Sequence, residues 1–183
     1  MLLLVGLGNP GPKDINNRHN IGFRIIDTVN SHFKLSKQKP KFKGLLTTGI
    51  ISENKVYAIK PLTFMNNSGT AIKELIDYFK IDAKDVIVFH DDLDIDFGKI
   101  KAKFGGSSAG HHGIDSIDKF IGKDYSRVRI GIGSPKDKKK VSNHVLEDFK
   151  EDEEEQIKEI ADNIVKLLPT LLEKKIDLFS SKV

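Results

Sequence analysis

At 183 residues the chain is long enough for one domain with a full-sized core. Its 38% hydrophobic and 31% charged content excludes general disorder, and the lack of cysteine excludes disulfides, thiolate zinc sites and cysteine nucleophiles. The net charge of +4 hides an asymmetry: residues 147–159 carry a net of −6, leaving +10 on the remainder. That excess favours a polyanionic partner through counterion release.

Leu2 to Leu7 is a continuous apolar run, as in a strand buried on both faces. The start, Met1 to Val5, has no basic flank and breaks at Gly6, too short for a signal peptide or a membrane span. A cytoplasmic protein is expected. Helical spacing of Ile21, Ile25, Val29 and Phe33 predicts an amphipathic helix from about Asn20 to Phe33. Phe42 to Ile51 and Lys55 to Ile59 read as strands joined by a hairpin turn at Ser52-Glu53-Asn54. Ser68 is a candidate cap for a helix with Ala71, Ile72, Leu75, Ile76 and Phe79 inside.

Val86 to Phe89 is a further buried strand, and Gly98 to Phe104 alternates apolar residues with lysines. A Gly/Ser-rich loop then leads into a helix from about His111 to Phe120, followed by a strand through Val128, Ile130 and Ile132. The acidic run at 147–155 opens the last long helix, where negative charge suits the positive helix end, and reads as a solvated capping face. Strands alternating with helices predict an α/β fold: a single-domain three-layer sandwich over residues 1–183, with a mixed, mostly parallel central sheet. The helices from about 147 are expected to pack on the same domain.

Gly6 to Gly11, GLGNPG, matches the dinucleotide fingerprint GxGxxG. That use is rejected, because the fingerprint turn must open directly into a helix, and here Pro10, Gly11 and Pro12 prolong the loop. No HxxxH or HExxH pair is present, and His111-His112 has no metal-binding spacing, so neither metal nor cofactor is expected. Serine lacks a GxSxG elbow, which favours direct attack by water. Such chemistry needs a base, a partner for its tautomer and neutral donors at the developing oxyanion. His19, an acid from Asp91, Asp92 or Asp94, and Asn9 or Asn66 are the candidates.

GLGNPG…RHNIGF, KPLTFMNNSG, HDDLD, KFGGSSAGHHG and RVRIGIG, in this order and spacing, resemble the signature blocks of the bacterial peptidyl-tRNA hydrolase family. They cover Leu2 to about Phe149. The resemblance implies a cytoplasmic, monomeric, cofactor-free enzyme. It would hydrolyse the ester between a peptide and the 3′ end of tRNA, recycling tRNA from aborted translation. It implies His19 as the base that activates water, Asp91 as the acid that orients it, and Asn9 as a substrate contact beside the ester. Phe64, Met65 and Asn66 would hold the peptide and terminal adenosine, and His111 would line the cleft. Lys103, Arg129 and Lys138 would meet the tRNA backbone.

Three departures stand out. Asp14 occupies a position where the family usually has tyrosine, which removes a phenol and brings negative charge towards RNA. His112 replaces an asparagine that helps bind substrate or position water, and Ser134 replaces a commonly basic residue. The departures motivate one rival, an RNA-binding module that has abandoned chemistry. A small-molecule hydrolase or nucleotide-binding enzyme of similar mixed α/β build is a second.

Overall fold

A strand with no polar face is stable only where both faces are covered, and β1 (Leu2–Gly6) is buried throughout. Its side chains alternate between two cores. Leu2 and Leu4 pack with α1 (Ile21–His32) and α5 (Glu151–Leu172), whereas Leu3 and Val5 pack with α2 (Ser68–Phe79) and α3 (His112–Ile121). Helices therefore cover the sheet on both sides.

The computed structural model describes residues 1–183. β1 pairs in parallel with β4 (Asn54–Pro61) and with β5 (Val86–Asp92), and β5 pairs in parallel with β7 (Ser126–Gly131). Antiparallel strands finish both edges: β3 (Gly44–Ile51) and β2 (Lys39–Lys41) beyond β4, and β6 (Ile100–Phe104) beyond β7. The order β2-β3-β4-β1-β5-β7-β6 makes a mixed sheet whose four central strands are parallel. All four end at one edge, and loops leaving such an edge build sites.

Several elements depart from the sequence reading. Phe42 and Lys43 have φ of 54° and 58° and turn the chain back onto β2, so the expected strand begins two residues later. Ser68 is not a cap: its hydroxyl donates to the Met65 carbonyl at 2.8 Å, and a 3-10 turn at Met65–Asn67 leads into α2. One helix was not expected, α4 (Val141–Leu146), and α6 (Ile176–Lys182) is a short second member of the helices expected from about 147. α4 has no fully buried residue and α6 only Phe179, so neither leaves an amphipathic stripe to read.

The acidic run does more than cap α5. Glu154 binds Arg24 of α1 through two hydrogen bonds of 3.0 and 2.6 Å. Arg18, buried beside α1, lies 3.4 Å from Glu147 and 3.5 Å from Glu153. The last long helix thus fastens the segment that carries His19.

Candidate active site

β5 runs three residues past its expected end, and Asp91 is buried near its tip. His19 sits in a 3-10 turn, Arg18–Asn20, that opens α1. The two come together because Gly22 lets α1 touch the sheet. A Cβ there would stand 2.4 Å from the Leu7 nitrogen and 2.5 Å from the Phe89 oxygen, contacts that no side chain tolerates. His19 Nδ1 then lies 2.8 Å from Asp91 Oδ2.

The other oxygen of Asp91 is also taken. His111 Nε2 lies 2.8 Å from Oδ1. His111 is the cap of α3, and its Nδ1 accepts the backbone N–H groups of Gly113 and Ile114 at 3.1 and 3.2 Å. An acceptor nitrogen carries no proton, so the His111 proton sits on Nε2 and is donated to Asp91. His19 donates its Nδ1 proton to the same carboxylate, so of the two histidines on Asp91 only His19 keeps an acceptor lone pair, on Nε2.

Electrostatics agree. Burial alone would lower the His19 pKa, but the charge and hydrogen bond of Asp91, with Asp14 behind, hold it above its usual value. Burial would raise Asp91, yet His19 and His111 hold it well below the carboxylate range. His90, the residue before, packs edge-on against His111 with ring centroids 4.9 Å apart. Its Nδ1 bonds the Asp91 carbonyl at 2.7 Å, and burial pushes its pKa down to about 3, so it stays neutral. His19, Asp91 and His111 each offer an atom within 4.8 Å of the others, close enough for metal ligands. The His111 tautomer opposes that use, because Nε2 cannot offer a lone pair while Nδ1 accepts two amides.

Asn9 leaves β1 towards this site. Its Oδ1 accepts the Met65 N–H at 2.8 Å, so its Nδ2 is the end presented as a donor. Asn20 grips the Asn9 backbone from both sides, accepting from N at 2.8 Å and donating to O at 2.9 Å. Asn17 holds Asn20, and Asp14 holds Asn17. Asp14 is buried and turned inward, so it is not the exposed charge facing RNA that its position in the loop suggested. Asn17 and Asn20 escaped the sequence reading. The signal was present: an Asn immediately before a helical turn is a capping pattern, and Asn17 Oδ1 accepts the Asn20 N–H.

Phe64 is exposed at φ 61° and ψ 155°, a region that side chains avoid at a cost of about 1–3 kcal/mol. The Asn9 bond to the next amide, Met65, holds it there. Met65 is buried, and Asn66 is exposed. A cavity of about 140 Å³ lies over the His–Asp–His cluster, walled by Asp92, Ser108, exposed His112 and α4's Val141 and Val145. A larger hollow of about 490 Å³ lies on the Asn9–Asn20 side, and neither His19 nor Asp91 lines it.

Lys103 and Arg129 lie on neighbouring strands, and Arg129 Nη1 stands 3.8 Å from Asp92 on the cavity wall. Burial, with Arg129 and Arg127 nearby, holds the Lys103 pKa below its usual value. Lys138 is exposed in the 3-10 turn that enters α4. None of the three lines the cavity itself: Arg129 approaches its wall at Asp92, Lys103 donates to the Ser107 carbonyl at 3.2 Å, and Lys138 lies at the entry to α4.

The sequence model of the family described as peptidyl-tRNA hydrolase matches residues 3–183. A peptidyl-tRNA hydrolase of Pelagibacter ubique (strain HTCC1062) is 71% identical across 100% of this chain and 98% of that one. One from Bartonella henselae is 42% identical across 100% and 95%. The crystal structure of peptidyl-tRNA hydrolase from Acinetobacter baumannii superposes with a TM-score of 0.94 at 32% identity, covering 100% of this chain and 93% of that one. The chain belongs to the peptidyl-tRNA hydrolase family.

Proposed function

We propose that this protein hydrolyses the ester joining a peptide to the 3′ end of tRNA, with His19 as the base. Water gives a proton to His19 Nε2 as its oxygen bonds to the ester carbonyl carbon. The tetrahedral intermediate collapses by breaking the bond to the 3′ oxygen of the ribose, which takes the proton back from His19. Products are the peptide acid and free tRNA. The observation that supports this most is one buried carboxylate shared by two histidines, of which only His19 keeps a basic nitrogen. Asn9 Nδ2 and the exposed Asn66 amide are suited to the substrate's carbonyls. Lys103, Arg129 and Lys138 are suited to phosphates, which position tRNA rather than specify it. No helix is long and apolar enough to cross a membrane. The reading takes the protein as a cofactor-free monomer of the cytoplasm.

Turnover of an N-blocked against an unblocked aminoacyl-tRNA tests the reading. The blocked substrate should be cleaved and the free one spared. Binding without cleavage would favour an RNA-binding module, and indifference to the nucleic acid would favour a small-ester hydrolase. His19 must be neutral to act, and Asp91 holds its pKa above 6.5. kcat/KM should therefore fall on the acid side of an inflection above that value, about tenfold per pH unit.

Lys103→Gln or Arg129→Gln should weaken tRNA binding most at low salt. Each lost phosphate contact should reduce the slope of log K against log salt by about 0.7–0.9. A minimal ester substrate should be cleaved nearly as before. Equal losses on both substrates would count against a phosphate role.

A further inference from the structure

We propose that Asp14 is a positioning residue of the hydrolytic site, anchoring a chain of buried amides that ends on the backbone between Phe64 and Met65. This rests on the reading of His19 as the base.

The chain is continuous. Asp14 Oδ1 accepts Asn17 Nδ2 at 3.0 Å, and Asn17 Oδ1 accepts the Asn20 N–H at 3.1 Å. Asn20 clamps the Asn9 backbone, and Asn9 Oδ1 accepts the Met65 N–H at 2.8 Å. Asn17 is fully buried and Asn20 nearly so, hence an unpaired amide anywhere along this line is costly. Because Asn17 must turn its oxygen towards Asn20, its NH₂ faces Asp14, and an acceptor is required at position 14. Removing it frees Asn17 to rotate. Asn20 then loses its support, and with it go the Asn9 donor and the strained Phe64 backbone that Asn9 holds.

Asp14 also acts through its charge. β5 and the loop after it present His90, Asp91, Asp92 and Asp94 to the cavity beside His19, the start of α3 presents His111 and His112, and α4 presents uncharged Val141, Ser142 and Val145. Arg18, next in sequence, is taken up by Glu147 and Glu153. Against this background Asp14 adds to Asp91 in favouring the protonated form of His19, the form generated when water is deprotonated. A carboxylate therefore serves both ends: an acceptor for Asn17 and an anion for the imidazolium.

The two roles separate by substitution. Asp14→Asn keeps an acceptor and removes the charge. Its kcat at high pH should fall about two- to threefold, because a less basic imidazole takes the proton, while the acid limb of kcat/KM moves to lower pH. Asp14→Ala removes both, and kcat should fall about three- to tenfold with a smaller change in KM. A residue with a merely structural part would lower Tm in Asp14→Ala and leave kcat and the acid limb alone, which would overturn the proposal. Should Asp14→Ala fail to fold, Asp14→Asn still decides, since an unmoved acid limb refutes the electrostatic role and with it the proposal. If His19→Ala turns over normally, the hydrolytic reading itself fails. If His19→Ala is inactive while both Asp14 variants match the parent at every pH, only the role of Asp14 falls.

Discussion

His19→Ala should reduce kcat/KM on an N-blocked aminoacyl-tRNA by about 10²–10⁴-fold and leave the fold intact. The loss should be large because neither histidine packed beside the carboxylate can replace the base. His111 has its Nδ1 committed to two backbone amides and its Nε2 proton to Asp91. His90 is neutral but buried, and at a pKa of about 3 it is a poor proton acceptor. The fold should persist because the ring is only 11% exposed yet makes one hydrogen bond, to a carboxylate that keeps His111 as its other partner. Substrate affinity should change little, since Lys103, Arg129 and Lys138, the cations proposed for phosphate, lie on other elements. Steady-state kinetics with a thermal melt check this directly, and a folded His19→Ala protein with near-normal turnover refutes the assignment.

Asp91→Asn should be as slow as His19→Ala, and slower than Asp91→Ala. An asparagine has one acceptor and one donor where aspartate has two acceptors. His111 must donate from Nε2, so the new amide oxygen faces His111 and the NH₂ faces His19 Nδ1. Nδ1 then becomes an acceptor, and the His19 proton moves to Nε2, the atom needed as base. The same exchange in a serine protease triad costs about 10⁴ in kcat through the wrong tautomer. Alanine imposes no tautomer and loses only the orientation and the charge. The order of the two variants in kcat/KM, with the His19 ring tautomer read by nitrogen NMR, tests the argument. Asp91→Asn turning over faster than Asp91→Ala would show that charge rather than tautomer dominates.

The elements whose signals are local were readable along the chain. β1 announces itself as an unbroken apolar run, α1 by its helical spacing, and the hairpin between β3 and β4 by its turn residues. The blocks around His19 and Asp91, singled out through resemblance more than through spacing, hold two side chains that the structure brings within 2.8 Å. His111 was expected to line the cleft, and it also caps α3 and takes the second oxygen of Asp91. Asp14 was expected to face RNA and is turned inward. Local pattern cannot show on which side of a loop a short polar side chain finds its partner.

Residue order alone therefore determined an α/β chain with apolar strands, amphipathic helices and a cationic bias, since these follow from hydrophobic period and charge count. Contacts between distant segments determined the chemistry. His19 and Asp91 are 72 positions apart, and Arg24 and Glu154 are 130 apart. A histidine becomes a base, a cap or a buried neutral ring according to which donors and acceptors the folded backbone sets around its two nitrogens. That assignment exists only once β5, α3 and the turn before α1 have been packed against one another.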